Sequence, residues 1–393
     1  MTGISRERWP LILGLWFVPA SIAVAEFFLS IAALAQIVRL VRRKEYPRLP
    51  DCLWFWLAWA LLEVVVWRLS PDKAAGWSEI RHLLLLGVLF VALSAFDRAQ
   101  ELLIAWKGVF VSATISSALL IGEFFYRLQI YKDEIAAGGD SNLYLRSGGL
   151  LHHWMVYGTV EILVVAGIIG FWLAYETQRR RLLPIIAING VAIILSLTRM
   201  TWVTCLLLVG IALVWTRSRW IWAMPLLLIV LYAIAPAAVR WRAANFVDPG
   251  YYSNAERIQM MEVGWKMARD HPLTGVGPGR VEQLYRSYLK PTDAVPAYHG
   301  HLHNNVTQIA AQFGLPVALA ALLFVVSALR DLFRARTTAA NPDRRFLANT
   351  AVLAFIGFLV AGLFEYTYGH SLGLIMISFA VFPALMPERA NLR

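Results

Sequence analysis

The chain has 393 residues, 59% hydrophobic and only 16% charged, with a formal net charge of +11. A soluble domain of this length carries roughly a quarter charged residues, so a soluble enzyme is excluded. The basic excess lies largely in short loops, where it reports orientation in a membrane rather than nucleic-acid binding, and the chain holds neither a Gly-rich phosphate loop nor zinc-type Cys spacing.

The apolar residues fall in runs of about 17 to 28, as bilayer-spanning helices require, and many of the 16 Trp and 20 Phe flank these runs like interfacial belts. The expected class is an all-α polytopic membrane protein with about 12 transmembrane helices. In chain order the expected spans are roughly 10–22, 24–40, 53–69, 79–95, 103–125, 150–175, 183–197, 200–216 and 220–239, then 304–328, 348–366 and 371–387. Residues 10–40 also fit a single long helix kinked at Pro19. The first run lacks a small-residue cleavage site and leads into further spans, so no cleavable signal peptide is expected. Cys52 and Cys205 fall at a helix start and inside an apolar run, which suits packing rather than a disulfide.

The chain then divides into residues 1–239 (nine spans), a loop over 240–303, and residues 304–393 (three spans and a terminal tail). Arg39 to Arg48, Arg179 to Arg181, Arg217 and Arg219, Arg330 to Arg345, and Arg389 and Arg393 all fall on one side if there are twelve spans. That side is expected to be cytoplasmic. The opposite side receives a segment near 126–149 and the long loop. In the loop, Ile258, Met261, Trp265 and Ala268 recur at helical spacing, His271-Pro272 ends that helix, and Gly275-Val276-Gly277-Pro278-Gly279 is a turn.

The polar constellations that could carry chemistry sit on this second side. His303-Asn304 stands before an apolar helix. An imidazole there is a candidate general base, and interfacial hydrogen bonding is the alternative. His299, His301 and His303 alternate and would share one face of an extended strand. No acid stands among them, with Asp293 the nearest, so the ligand set is poor for a metal and none is expected. Arg199 lies in the turn Ser196-Leu197-Thr198-Arg199-Met200-Thr201-Trp202 between two apolar spans, with no acidic neighbour in sequence. A guanidinium at that depth needs an anion, which a phosphate on a lipid substrate would supply, or else it snorkels to headgroups. Arg257, beside Glu256 and near Glu262, fits either the same role or a solvated ion pair. Arg146, His152, His153 and Tyr157 gather at the entrance of the sixth span.

The pattern His303-Asn304, nine residues, Gly314, entering a helix after a long loop, resembles the bacterial O-antigen ligases within the O-antigen polymerase/ligase superfamily. Thr198-Arg199-Met200-Thr201-Trp202 is similar to that family's Ser/Thr-Arg-x-x-Trp-like turn. Arg257, Trp265, His271-Pro272-Leu273 and Gly275-Val276-Gly277 resemble its Arg…Trp…His-Pro-Leu-x-Gly-Val-Gly stretch, and Phe364-Glu365-Tyr366 to Ser371 its late Phe-Glu-Tyr stretch. The chain departs from the pattern at His370, where Asp is common, and at Val317. The resemblance covers most of residues 140–387. It implies a GT-C-like glycosyltransferase of the inner membrane, facing the periplasm and independent of metal or cofactor. The implied donor is an undecaprenyl-pyrophosphate-linked glycan and the implied acceptor is lipid A–core. By motif, His303 matches the catalytic histidine and Arg199 and Arg257 the arginines that hold the diphosphate. Arg146, Asn304, His301, His153 and Tyr157 are the further expected substrate contacts, and membrane lipids the expected surroundings. A polymerase that joins two lipid-linked glycans is the alternative. A lipid or glycan transporter is the third reading, against which stand the absence of a repeat and the polar groups on one side only.

Overall fold

The structure, a computed structural model, describes residues 6–46, 50–136, 145–291, 293 and 300–386. His299, Arg48, Arg389, Arg393 and the middle of the 126–149 segment lie outside the described residues. Every regular element among the described residues is helical, and the chain is an all-α, multi-pass membrane protein. The helices are α1 (Trp9–Phe17), α2 (Ile22–Arg43), α3 (Cys52–Leu69), α4 (Lys73–Leu93), α5 (Ala99–Ala136), α6 (Trp154–Ala174), α7 (Arg179–Leu195) and α8 (Arg199–Trp215). They continue with α9 (Met224–Ile234), α10 (Ala237–Ala244), α11 (Tyr252–Asp270), α12 (Val281–Leu284), α13 (Asn305–Phe313), α14 (Leu315–Thr337), α15 (Pro342–Ala361) and α16 (Ser371–Leu385).

Seven of these, α2 to α6, α14 and α15, are long and apolar enough to cross a membrane, and the apolar stretches Arg199–Trp215, Arg219–Ile234 and Ser371–Leu385 are shorter. The shortfall against twelve has local causes. Helix α1 has nine residues, about 14 Å at 1.5 Å per residue, and folds back on α2 and α5 with Leu11, Ile12 and Leu15 fully buried. Residues 10–40 are therefore two helices and not one. Helix α5 runs to 38 residues, about 57 Å, well beyond the roughly 30 Å hydrocarbon core. Both cysteines are free and buried.

The expected span 304–328 is broken at Gly314. Its φ of +84° suits glycine, and a Cβ there would lie 2.6 Å from the Leu273 carbonyl carbon. The break leaves α13 as a short, almost wholly buried helix and starts α14 afresh at Leu315. The stretch after α11 is clasped to this break. Val276 N–H donates to the Ala311 carbonyl (2.8 Å), Gly277 N–H to Gln312 (3.1 Å), and Leu315 N–H to Pro272 (2.8 Å). Gly275, at φ +59°, admits a second close approach to the Ala311 carbonyl. The His-Pro-Leu-x-Gly-Val-Gly stretch is thus a backbone clasp that ties the extramembrane helices to α13. Helix α11 packs along α13, and the spans α6 and α15, the most enclosed of the candidate spans, pack together at the centre of the bundle.

Candidate active site

The start of α13 is over-determined by hydrogen bonds. Asn304 caps it, its side-chain oxygen accepting from Thr307 N–H at 2.9 Å while its amide donates to the Leu363 carbonyl at 3.0 Å. Asn305 donates through its backbone to the Gly362 carbonyl (2.7 Å) and through its side chain to Thr367 Oγ1 (2.9 Å). These bonds lock the loop after α15 against the residue before the cap, His303, which is held at φ +51°, uncommon for a residue with a side chain. Strain of this kind persists only where the surroundings impose it.

That loop delivers Glu365. Its carboxylate lies 2.8 Å from His303 Nδ1, 3.3 Å from His301 Nε2 and 3.8 Å from His370 Nε2, and it is 1% exposed. Burial pushes the Glu365 pKa up, but the hydrogen bonds and charges of the neighbouring histidines outweigh it and hold the carboxyl well below its usual range. Tyr366 anchors the loop from the other side, its hydroxyl donating to Glu79 of α4 at 2.7 Å. A depressed carboxyl stabilises the fold above the ordinary Glu value of about 4.3, and that stability is lost as pH falls through the lower folded value. Glu365→Gln should therefore lower the melting temperature at neutral pH, with the gap to wild type closing as pH drops below about 4. Thermal unfolding in detergent across this range checks it; a gap that stays constant would remove the charge interaction.

On its other side His303 lines a cleft of about 210 Å³ together with Arg199, Arg257, Asn254, Met261 and Phe246. Three residues far apart in sequence, two of them guanidiniums, thus share one cavity. Arg199, at the start of α8, donates to the Asn245 carbonyl (2.9 Å), the Phe246 carbonyl (3.3 Å) and Asn254 Oδ1 (2.5 Å). It also faces the rings of Phe246 and Tyr251 at 5.7 and 5.4 Å. Its position between spans is therefore held by neutral acceptors, not by a carboxylate. Arg257 does not form the ion pair that was its alternative reading. Glu262, one proposed partner, pairs instead with Lys290 at 3.6 Å, and among the described residues Arg257 makes no hydrogen bond or ion pair. Burial lowers its pKa, Glu365 opposes that shift, and Arg242 adds to it. Arg257 thus lines the cleft beside Arg199, and two guanidiniums in one cavity favour an anion there.

The other expected contacts divide. His301 joins the Glu365 cluster, its ring 4.3 Å from that of His303. His153 caps α6, accepting from Met155 N–H at 3.3 Å, and stacks on Trp154. Its pKa is lowered by burial first, with Glu365 opposing and His370, Arg146 and His303 adding to the shift, so it stands at the edge of the same cluster. Arg146 lies over the Trp154 ring at 5.3 Å. Asn304 spends its side chain on the cap and the loop. Tyr157 does not reach the cleft: its hydroxyl bonds Ser117 Oγ at 2.8 Å, and Ser117 donates to Asn189 at 2.7 Å, in a buried network between α5, α6 and α7.

Sequence reading gave no role to Glu365, Arg242 or Asn254. Glu365 carried a signal, being an acid at the end of an apolar span. Arg242, whose guanidinium donates to the Tyr251 hydroxyl at 2.8 Å, and Asn254 carried none. The argument against a metal also loses its premise. Glu365 brings an acid from 62 residues away, and ligand atoms of His301, His303 and Glu365 lie within 4.8 Å of one another, close enough to hold a metal ion.

A family model described as O-antigen ligase matches residues 184–322. The match runs from within α7 into α14. The match includes Arg199, Arg257, the backbone clasp and His303, while Glu365, His370, Arg146 and His153 lie outside it. No curated protein matches the chain.

Proposed function

We propose that the protein is an O-antigen ligase. It transfers a glycan from undecaprenyl pyrophosphate to a sugar hydroxyl of lipid A–core, at the periplasmic face of the inner membrane. The observation that carries this reading is the cleft itself, where two guanidiniums and an oriented imidazole line one cavity. The acceptor oxygen attacks the anomeric carbon, the bond from that carbon to the pyrophosphate oxygen breaks, and the hydroxyl proton passes to His303. Arg199 and Arg257 hold the diphosphate and stabilise the charge that develops on it as it leaves. With Glu365 accepting from the Nδ1–H of His303, the other ring nitrogen is the basic one, and the carboxylate steadies the imidazolium that forms. Both substrates are lipids held in one membrane plane, which makes the encounter effectively intramolecular.

In this reading the guanidiniums supply the positive charge that a metal would otherwise bring, and Glu365 is committed to the histidines. Chelation with EDTA should leave the transfer rate of purified protein unchanged. Loss of activity with EDTA that zinc or magnesium restores would make His301, His303 and Glu365 a metal centre and displace the general-base mechanism.

A polymerase that adds one lipid-linked glycan to another uses the same donor chemistry, and only the acceptor differs. The deciding experiment offers purified protein a lipid-pyrophosphate glycan together with either lipid A–core or a second donor, with products analysed by mass. A product on lipid A–core supports the ligase; a lengthened donor alone supports the polymerase.

A further inference from the structure

The proposed reaction uses His303 and Glu365 but gives no task to His301, which faces the same carboxylate. His303 Nδ1 lies 2.8 Å from one Glu365 oxygen, and His301 Nε2 lies 3.3 Å from the other. Ligand atoms on a tetrahedral zinc ion, at bond lengths of about 2.0–2.2 Å, stand roughly 3.3 Å apart. The two imidazoles and the carboxylate therefore need only small movements to close on an ion. A set of two imidazoles and one carboxylate suits zinc better than magnesium, which takes oxygen ligands in an octahedron. His370, with Nε2 3.8 Å from the same carboxylate, is a further imidazole close by, and water otherwise completes the coordination. Glu365 is buried, but the side chains of His301 and His303 are 21% and 16% exposed, which leaves a way in for the ion. The bonds that fix the α13 cap and the Glu365 loop hold these ligands in place before an ion arrives.

We infer that His301, His303 and Glu365 form an inhibitory site for zinc, whose occupation stops glycan transfer. The inference rests on the reading of His303 as the base. A base at Nε2 requires the proton of the neutral ring to sit on Nδ1, donated to Glu365. A metal bound at Nδ1 takes that lone pair, so the ring's one proton moves to Nε2, the nitrogen that must accept the acceptor's proton. The ion also takes Glu365 as a ligand, and the carboxylate no longer steadies an imidazolium. The bound ion is thus an inhibitor and not a cofactor, and the metal-free protein is the active form.

The test uses purified full-length protein without a polyhistidine tag, treated with EDTA and then freed of it. Saturating zinc should slow transfer by about 10² to 10⁴-fold, the loss that removal of a general base brings, and excess EDTA should restore the rate. Magnesium at the same concentration should not slow it. His301→Gln removes the imidazole but keeps a donor for Glu365. Measured against the variant's own zinc-free rate, its zinc inhibition constant should rise about ten-fold or more. His301→Ala serves as the second variant. Isothermal titration calorimetry with zinc alone, in the absence of donor and acceptor, should show a site in wild type that weakens by the same factor in both variants. An equal inhibition constant in wild type and variants would mean that zinc acts elsewhere, as on the donor's diphosphate, and overturns the proposal. So does the absence of calorimetric binding. Zinc that binds at the cluster and leaves transfer undiminished overturns the reading of His303 as the base instead.

Discussion

His303→Ala is expected to reduce glycan transfer by about 10² to 10⁴-fold, the usual contribution of a general base, with expression and membrane insertion intact. In the proposed mechanism the loss falls on kcat, because there the imidazole acts on the acceptor proton while other groups hold the donor's diphosphate. Alanine leaves the backbone at φ +51° held by the hydrogen bonds of Asn304 and Asn305, while Glu365 loses its nearest partner and keeps His301 and His370 beside it. Steady-state kinetics on purified protein, with circular dichroism as the control for folding, decide the matter. Near-normal turnover in a folded variant would remove His303 as the base and point to His301 or His370, the other imidazoles beside Glu365.

The general class of this molecule was legible in its sequence because hydrocarbon imposes a simple rule: an apolar run of sufficient length is a span. The limits of that rule explain where the boundaries moved. Hydropathy does not register the left-handed Gly314, so the short buried α13 and the span α14 read as one helix. Nor does it register that α1 turns back on α2 and α5. For the site, His303 and the two arginines were visible because charge beside a membrane span needs a reason. Glu365 acquires its place through the loop that the α13 cap pins down, a pairing across 62 residues that no local pattern encodes. The hydrogen bonds that hold Arg199 come from residues 245, 246 and 254, in a segment whose composition reads only as an extramembrane loop.

The arginine pair yields the second large effect. Lysine keeps the charge but loses the planar fork that matches a diphosphate. Hydrogen bonds to charged groups contribute about 1.5–3 kcal/mol each, so Arg257→Lys should weaken donor binding about ten-fold or more. Arg199→Lys should cost at least as much, but part of its cost is structural, since the same guanidinium bonds two carbonyls and Asn254. Arg257 is the cleaner probe because its guanidinium has no such partners among the described residues. If both grip one diphosphate, the free-energy cost of the double variant should fall short of the sum of the singles, by the 0.5–3 kcal/mol that groups sharing a partner typically show (a roughly two- to hundred-fold coupling). Binding of a lipid-pyrophosphate analogue to the four proteins of this cycle measures it. Strict additivity would mean that the two arginines serve different ligands. Wild-type affinity in Arg257→Lys would take Arg257 out of the donor site and leave Arg146, or the Arg242 that the fold sets beside Tyr251, as the second cation.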